Sequence, residues 1–205
     1  MRAVDVMSSP AITVRPTTPV KAAIGLITSH GFTALPVVDA DDRLIGIVTE
    51  ADLVRDRITP DARTLVWRED PTPAAAPPAS VGEVMTSPAI AVRGGADIAE
   101  VAKAMLDAHI RCAPVVDGEK LVGVVSRRDL LRTLARDDLA IVADVRRVLA
   151  KYGGHGRWVV SVADGVVSVG DEFDSAEDRH VATVLAQSVP GVQAVTVTSR
   201  LDEKV

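Results

Sequence analysis

Two short stretches of this chain pair a hydroxyl with a carboxylate three residues on. They are Gly46-Ile47-Val48-Thr49-Glu50-Ala51-Asp52 and Gly123-Val124-Val125-Ser126-Arg127-Arg128-Asp129. The apolar run before each hydroxyl reads as a strand, and the residues after it as the start of a helix. At such a junction the free backbone N–H groups and the helix dipole favour an anion, beside the Thr49 or Ser126 hydroxyl. Asp52 or Asp129, one turn in, has the two acceptor oxygens that can take both hydroxyls of a ribose. The same spacing also describes a capping box, in which these side chains bond only to their own backbone. Spacing alone supports both readings.

Little else in the chain has the makings of a reactive site. His30, His109, His155 and His180 show no metal-ligand spacing. Cys112 is the single cysteine; beside Pro114 it reads as a small buried hydrophobe, and it fits a reducing cytosol. There is no Walker loop, nucleophile elbow or paired-carboxylate motif, so no catalysis is expected.

The elements that hold the two hydroxyl–carboxylate pairs are themselves written twice. Asp5-Val6-Met7-Ser8-Ser9-Pro10-Ala11-Ile12-Thr13-Val14-Arg15 returns as Glu83-Val84-Met85-Thr86-Ser87-Pro88-Ala89-Ile90-Ala91-Val92-Arg93, at an offset of 78. Leu35 to Arg55 returns as Ala113 to Arg132, one residue shorter in the turn near Asp41. Each copy predicts a short strand (Ile12 to Arg15; Ile90 to Arg93) and then an amphipathic helix. The helices carry Val20, Ala23, Ile24 and Ile27 in one copy, and Ile98, Val101, Ala102 and Met105 in the other. Thr18-Pro19 reads as N-cap and first helical position, and Asp97 as the start of the second helix. Two apolar strands follow (Leu35 to Val38 and Leu44 to Val48; Ala113 to Val116 and Leu121 to Val125), then a helix from Thr49 or Ser126. The order is β-α-β-β-α, twice. Units this small must pack on each other to bury a core, giving one pseudo-symmetric module with two equivalent clefts.

The segment between the copies, residues 61–80, is rich in Pro and Ala and reads as a linker. Trp67 within it is expected to anchor on the domain. After Asp138 the pattern changes to α-β-β-α-β. A helix spans Leu139 to Tyr152, and strands Trp158 to Ala163 and Val166 to Phe173 flank an Asp164-Gly165 turn. A second helix, Ala176 to Val189, stops at Pro190-Gly191, and Val192 to Leu201 closes the unit as a strand. The fold class is α+β.

The repeat resembles the cystathionine-beta-synthase (CBS) motif, and the pair resembles a Bateman module over residues 1–138. The resemblance rests on the Asp/Glu-Val-Met opening, the Pro-Val-Val-Asp strand and the Gly-apolar-apolar-Thr/Ser-x-x-Asp signature. It implies that Thr49 and Ser126 meet phosphate and that Asp52 and Asp129 accept from ribose. Arg128, replaced by Ala51 in the first copy, and Arg111, replaced by Thr33, fall where relatives carry phosphate ligands. The implied ligand is AMP, ADP or ATP, with S-adenosylmethionine and NAD as further candidates and no required cofactor. Because of Arg128, the cleft of Ser126 and Asp129 is expected to hold anionic nucleotide more tightly than the cleft of Glu50 and Ala51. The implied function is a regulatory protein that senses this ligand through repeats 1–60 and 81–138 and signals to an unidentified protein partner. The competing reading is a structural adaptor with empty clefts.

Residues 139–205 resemble a BON domain, on Val162 to Gly170, the helix through Arg179 and Ala182, and Pro190-Gly191-Val192. Such domains are associated with envelope or phospholipid attachment. Here no export signal and no basic surface is apparent, which points to protein or ligand interaction and away from a membrane. The formal net charge of −5 offers no long-range attraction for nucleic acid. No apolar stretch approaches the ~20 residues of a membrane span. A cytoplasmic homodimer, joined through the repeat pair, is the expected assembly.

Overall fold

A computed structural model describes residues 1–55, 57–58, 61, 76–173 and 175–199. The expectations for Trp67 and for a strand as far as Leu201 fall outside them. The chain divides into two compact units, one holding Met7–Ala96 and Glu100–Ser126, the other Met1–Val6, Asp97–Ala99 and Arg127–Val205.

In the first repeat, helix α2 (Val20–His30) follows a one-turn helix α1 (Ala3–Val6), which the sequence pattern does not announce. Val20, Ala23 and Ile27 of α2 are buried, as the i, i+3, i+7 stripe requires. Pro19 itself is the N-cap and offers no side-chain bond. Thr18, expected in that role, instead accepts a hydrogen bond from the Arg15 amide at 2.9 Å. Gly31 ends α2 in the left-handed region, at φ 64°.

Strands β1 (Ala34–Val38) and β2 (Leu44–Thr49) pair antiparallel, with Ala34 opposite Thr49. Every residue of β1 is buried, which explains its unbroken apolar run. The expected strand from Ile12 to Arg15 shrinks to a parallel bridge between Val14 and Val37. Pro10 and Pro16 bracket it and cannot donate to a ladder. Helix α3 (Glu50–Val54) closes the repeat.

The second repeat follows the same order. Strand β3 (Val92–Arg93) pairs parallel with β4 (Cys112–Asp117), and β4 pairs antiparallel with β5 (Lys120–Ser126). Helix α4 (Ile98–Asp107) lies between β3 and β4, and α5 (Arg127–Leu134) follows β5. Asp97 opens α4 as expected, its carboxylate accepting from the Ala99 amide at 2.8 Å.

The opening segments of the two repeats are exchanged. Ser8 pairs with Val124 of β5, and Thr86 pairs with Ile47 of β2. Ser9 and Ser87 donate their hydroxyls to the Val122 and Ile45 carbonyls, at 2.9 and 2.8 Å. Gly46 and Gly123 lie under these crossings. A Cβ on Gly46 would sit 2.9 Å from the Thr86 carbonyl oxygen, and one on Gly123 would sit 2.6 Å from the Met7 sulfur. Val81, which precedes the second opening segment, is buried in the core of the first repeat with Val20, Leu35 and Val48. Neither repeat is complete without residues of the other.

The C-terminal elements are α6 (Asp138–Gly153), β6 (Trp158–Ala163), β7 (Val166–Asp171), α7 (Ala176–Gln187) and β8 (Ala194–Ser199). They give the expected α-β-β-α-β order, with β7 central, antiparallel to β6 and parallel to β8. Asp164 and Gly165 both have positive φ, 51° and 75°, as a two-residue turn of the I′ kind demands. Ile141, Val145, Leu149, Trp158, Val160, Val167 and Val169 form the core with Ala182, Ala186 and Val189. Strand β7 ends at Asp171 rather than Phe173. The Asp171 side chain turns inward and takes the Phe173 amide at 3.2 Å, ending the ladder.

Candidate functional site

The first of the two hydroxyl–carboxylate pairs is a closed cap. The Thr49 hydroxyl donates to Asp52 Oδ2 at 2.7 Å, and the Thr49 amide donates to the same oxygen at 2.9 Å. The Asp52 amide donates to Thr49 Oγ1 at 3.3 Å. These bonds fix the turn from β2 into α3 and aim the first residues of α3 across the end of the strand.

Beside that turn lies a cavity of about 400 Å³. The first repeat supplies Thr33 and Ala34 from the start of β1, Ile47 and Thr49 from β2, and Glu50 and Ala51 from α3. The second supplies Thr86, Pro88 and Ile90 from its opening segment, and His109, Ile110, Arg111 and Cys112 before and at the start of β4. The exchanged segments build it: the two bonds between Ile47 and Thr86, at 3.0 and 2.8 Å, hold the second repeat's wall against β2. Its volume is in the range of small-molecule sites. Ile47, Ile90 and Ile110 offer apolar surface for a flat ring, while Thr33, Thr49 and Thr86 bring polar groups to the same space.

Its two fully charged side chains come from different repeats. Arg111 Nη1 lies 3.9 Å from Glu50 Oε2, and both side chains remain substantially exposed. His109 is held at φ 56°, a conformation rare outside glycine. Its ring Nδ1 is 3.0 Å from the Asp107 carbonyl oxygen. At the 78-residue offset its counterpart is Gly31, which has the same left-handed backbone. A histidine where the repeat has a glycine is legible in the sequence, although its spacing to the other histidines is not that of metal ligands.

Of the six residues expected in a ligand site, Thr49 and Arg111 line this cavity, and Asp52 is hydrogen-bonded to Thr49. Ser126 is the last residue of β5. Arg128 is exposed in the first turn of α5. Asp129 is buried, with Arg132 Nη1 at 3.3 Å from its carboxylate and the Thr133 hydroxyl donating to its carbonyl. These three do not line the cavity. Glu50 and Ala51, expected in the first cleft, both line it, whereas the apolar lining residues were missed because the pocket forms only once the opening segments cross. Among the described residues, no group of His, Cys, Asp and Glu is arranged to hold a metal ion, and no helix is long and apolar enough to cross a membrane.

The sequence profile of the CBS domain matches residues 3–58 and 81–136. The chain is 31% identical over 134 residues to the chloroplastic CBS domain-containing protein CBSX1 of Arabidopsis thaliana. That match covers 58% of this chain and 57% of the plant protein, so the chain spans little more than half of that relative. Among solved structures, CBSX2 in complex with AMP is similar at 28% identity and a TM-score of 0.53, over 64% of this chain and 93% of that one. A CBS domain pair in complex with 5′-methylthioadenosine and S-adenosyl-L-methionine is similar at 26% identity and a TM-score of 0.50, over 64% and 94%.

Proposed function

The chain belongs to the CBS-domain family, and we propose that its repeat pair is a non-catalytic sensor of an adenine nucleotide or adenosyl compound. The observation that carries this reading is the cavity in which Thr49 and Arg111, from different repeats, border the same space between apolar walls. An adenine ring can lie against Ile47, Ile90 and Ile110, with the sugar and its 5′ substituent directed toward Thr49 and Arg111. Because both repeats supply walls, occupancy couples one to the other, which is what a regulatory module requires. Relatives crystallised with AMP, and with methylthioadenosine and S-adenosylmethionine, support the ligand class. ADP, ATP and NAD remain within it.

The signal passes to a protein partner in the cytoplasm, and the active species is a homodimer. Helix α5 leaves Leu131 and Leu134 63% and 59% exposed, apolar surface that a partner copy would cover. Ser126, Arg128 and Asp129 stand at the matching junction of the second repeat and provide a second ligand position. Residues 139–205 act as a BON-like interaction unit. The proposed domain limits are 1–60, 61–80, 81–138 and 139–205, with Arg136, Asp137 and Asp138 bonded to the last of these.

A second reading has one observation in its favour. The Thr49–Asp52 cap is satisfied within the chain, as it would be in a structural adaptor that binds nothing. A thermal-shift panel of AMP, ADP, ATP, NAD and S-adenosylmethionine separates the two. Ligand at 100 times its dissociation constant adds about 2.7 kcal/mol of stability. No shift with any of them at millimolar concentration would favour the adaptor.

A further inference from the structure

The cavity carries its two opposite charges as a loose pair. The 3.9 Å between Glu50 Oε2 and Arg111 Nη1 is too long for a hydrogen bond, and the side chains are 49% and 70% exposed. Such a pair contributes little by itself and leaves both groups open to a third partner. A phosphate that enters to use Arg111 meets the Glu50 carboxylate on the same wall, and like charges this close repel. A neutral 5′ substituent escapes that repulsion. The second repeat made the opposite choice: Arg127 stands where the first has Glu50, and Arg128 where it has Ala51.

Resting on the reading of this cavity as an adenosyl-ligand site, we infer that Glu50 is its specificity-determining residue. The Glu50 carboxylate offsets the attraction that Arg111 offers a phosphate, and so shifts the cavity's preference from phosphate-bearing nucleotides toward adenosyl ligands whose 5′ substituent is neutral. Glu50 is surface-placed at the start of α3 and takes no part in the Thr49–Asp52 cap, so replacing it leaves the turn intact.

The test is calorimetric titration of the full chain and its Glu50→Gln and Glu50→Asp variants with AMP, ATP and 5′-methylthioadenosine. Glu50→Gln should tighten AMP about tenfold in one binding phase, and ATP at least as much. It should leave 5′-methylthioadenosine within about twofold, and the gain for AMP should shrink as salt rises. Glu50→Asp keeps the charge and should keep the wild-type discrimination. If Glu50→Gln leaves every AMP phase unchanged, or tightens 5′-methylthioadenosine equally, the inference is overturned while the ligand site stands. The same holds if Glu50→Asp matches Glu50→Gln. If none of the three ligands binds any of the proteins, the ligand-site reading falls and the inference falls with it.

Discussion

Arg157 shows how one side chain can hold a small unit together. Its Nε and Nη2 donate to the two carboxylate oxygens of Asp171 at 2.6 and 2.7 Å, and Nη2 also reaches Asp178 at 2.6 Å. The guanidinium lies over the Trp158 and Phe173 rings, 4.4 and 5.0 Å from their centroids. Burial pushes the Asp171 carboxyl up, but the Arg157 fork and the Phe173 amide outweigh it and hold the group below the usual carboxylate range. Arg157 and the Tyr152 hydroxyl likewise hold Asp178 down. A depressed folded-state pKa stabilises the fold above the unfolded pKa of about 3.9, and that contribution disappears as pH falls through the folded value. Arg157→Ala strands the fully buried Asp171 and should cost about 3 kcal/mol near pH 7. In the variant only the Phe173 amide opposes burial, so Asp171 protonates more readily than in wild type and the stability gap should narrow below about pH 4. Urea unfolding at pH 7 and pH 3.5 checks this; a gap that stayed constant would contradict the role given to Asp171.

At the scale of elements, the exchanged opening segments explain why Val-Met-Ser/Thr-Ser-Pro and the Gly of the signature recur together. Each glycine admits the other repeat's backbone, so a methyl group there must push the crossing apart. Gly46→Ala faces a backbone oxygen at 2.9 Å and should destabilise the protein by about 1–3 kcal/mol. Gly25→Ala, with open space around its Cβ, should not; equal melting temperatures for the two variants would refute the crossing as the cause. Most elements were legible beforehand, since α2, β1, β2, β4, β5 and the β6–β7 hairpin follow directly from apolar period and turn residues. The crossing was not, because Ser8 and Val124 meet through backbone bonds between residues far apart in the chain. The site was half legible for the same reason. Local spacing marks Thr49 and Asp52 but cannot tell a cap from a ligand site, and Arg111 meets Glu50 only through the fold.

For the whole molecule, the C-terminal unit depends on residues ahead of Leu139. Asp137 caps α6, and both oxygens of Asp138 take the Asp164 and Gly165 amides, at 2.8 and 3.0 Å. Arg136 bonds the Pro190 carbonyl and Asp144, each at 2.7 Å. A fragment of residues 136–205 should therefore unfold cooperatively and at a higher urea midpoint than one of residues 139–205. Equal midpoints would show that these contacts add nothing. The central claim, that the cavity between Thr49 and Arg111 binds an adenosyl ligand, is tested most directly by titrating AMP and adenosine into the full chain and its Arg111→Ala variant. A charge-assisted hydrogen bond contributes about 1.5–3 kcal/mol, so Arg111→Ala should weaken one AMP phase tenfold or more and leave adenosine nearly unchanged. AMP and adenosine binding that both ignore the substitution would contradict the account.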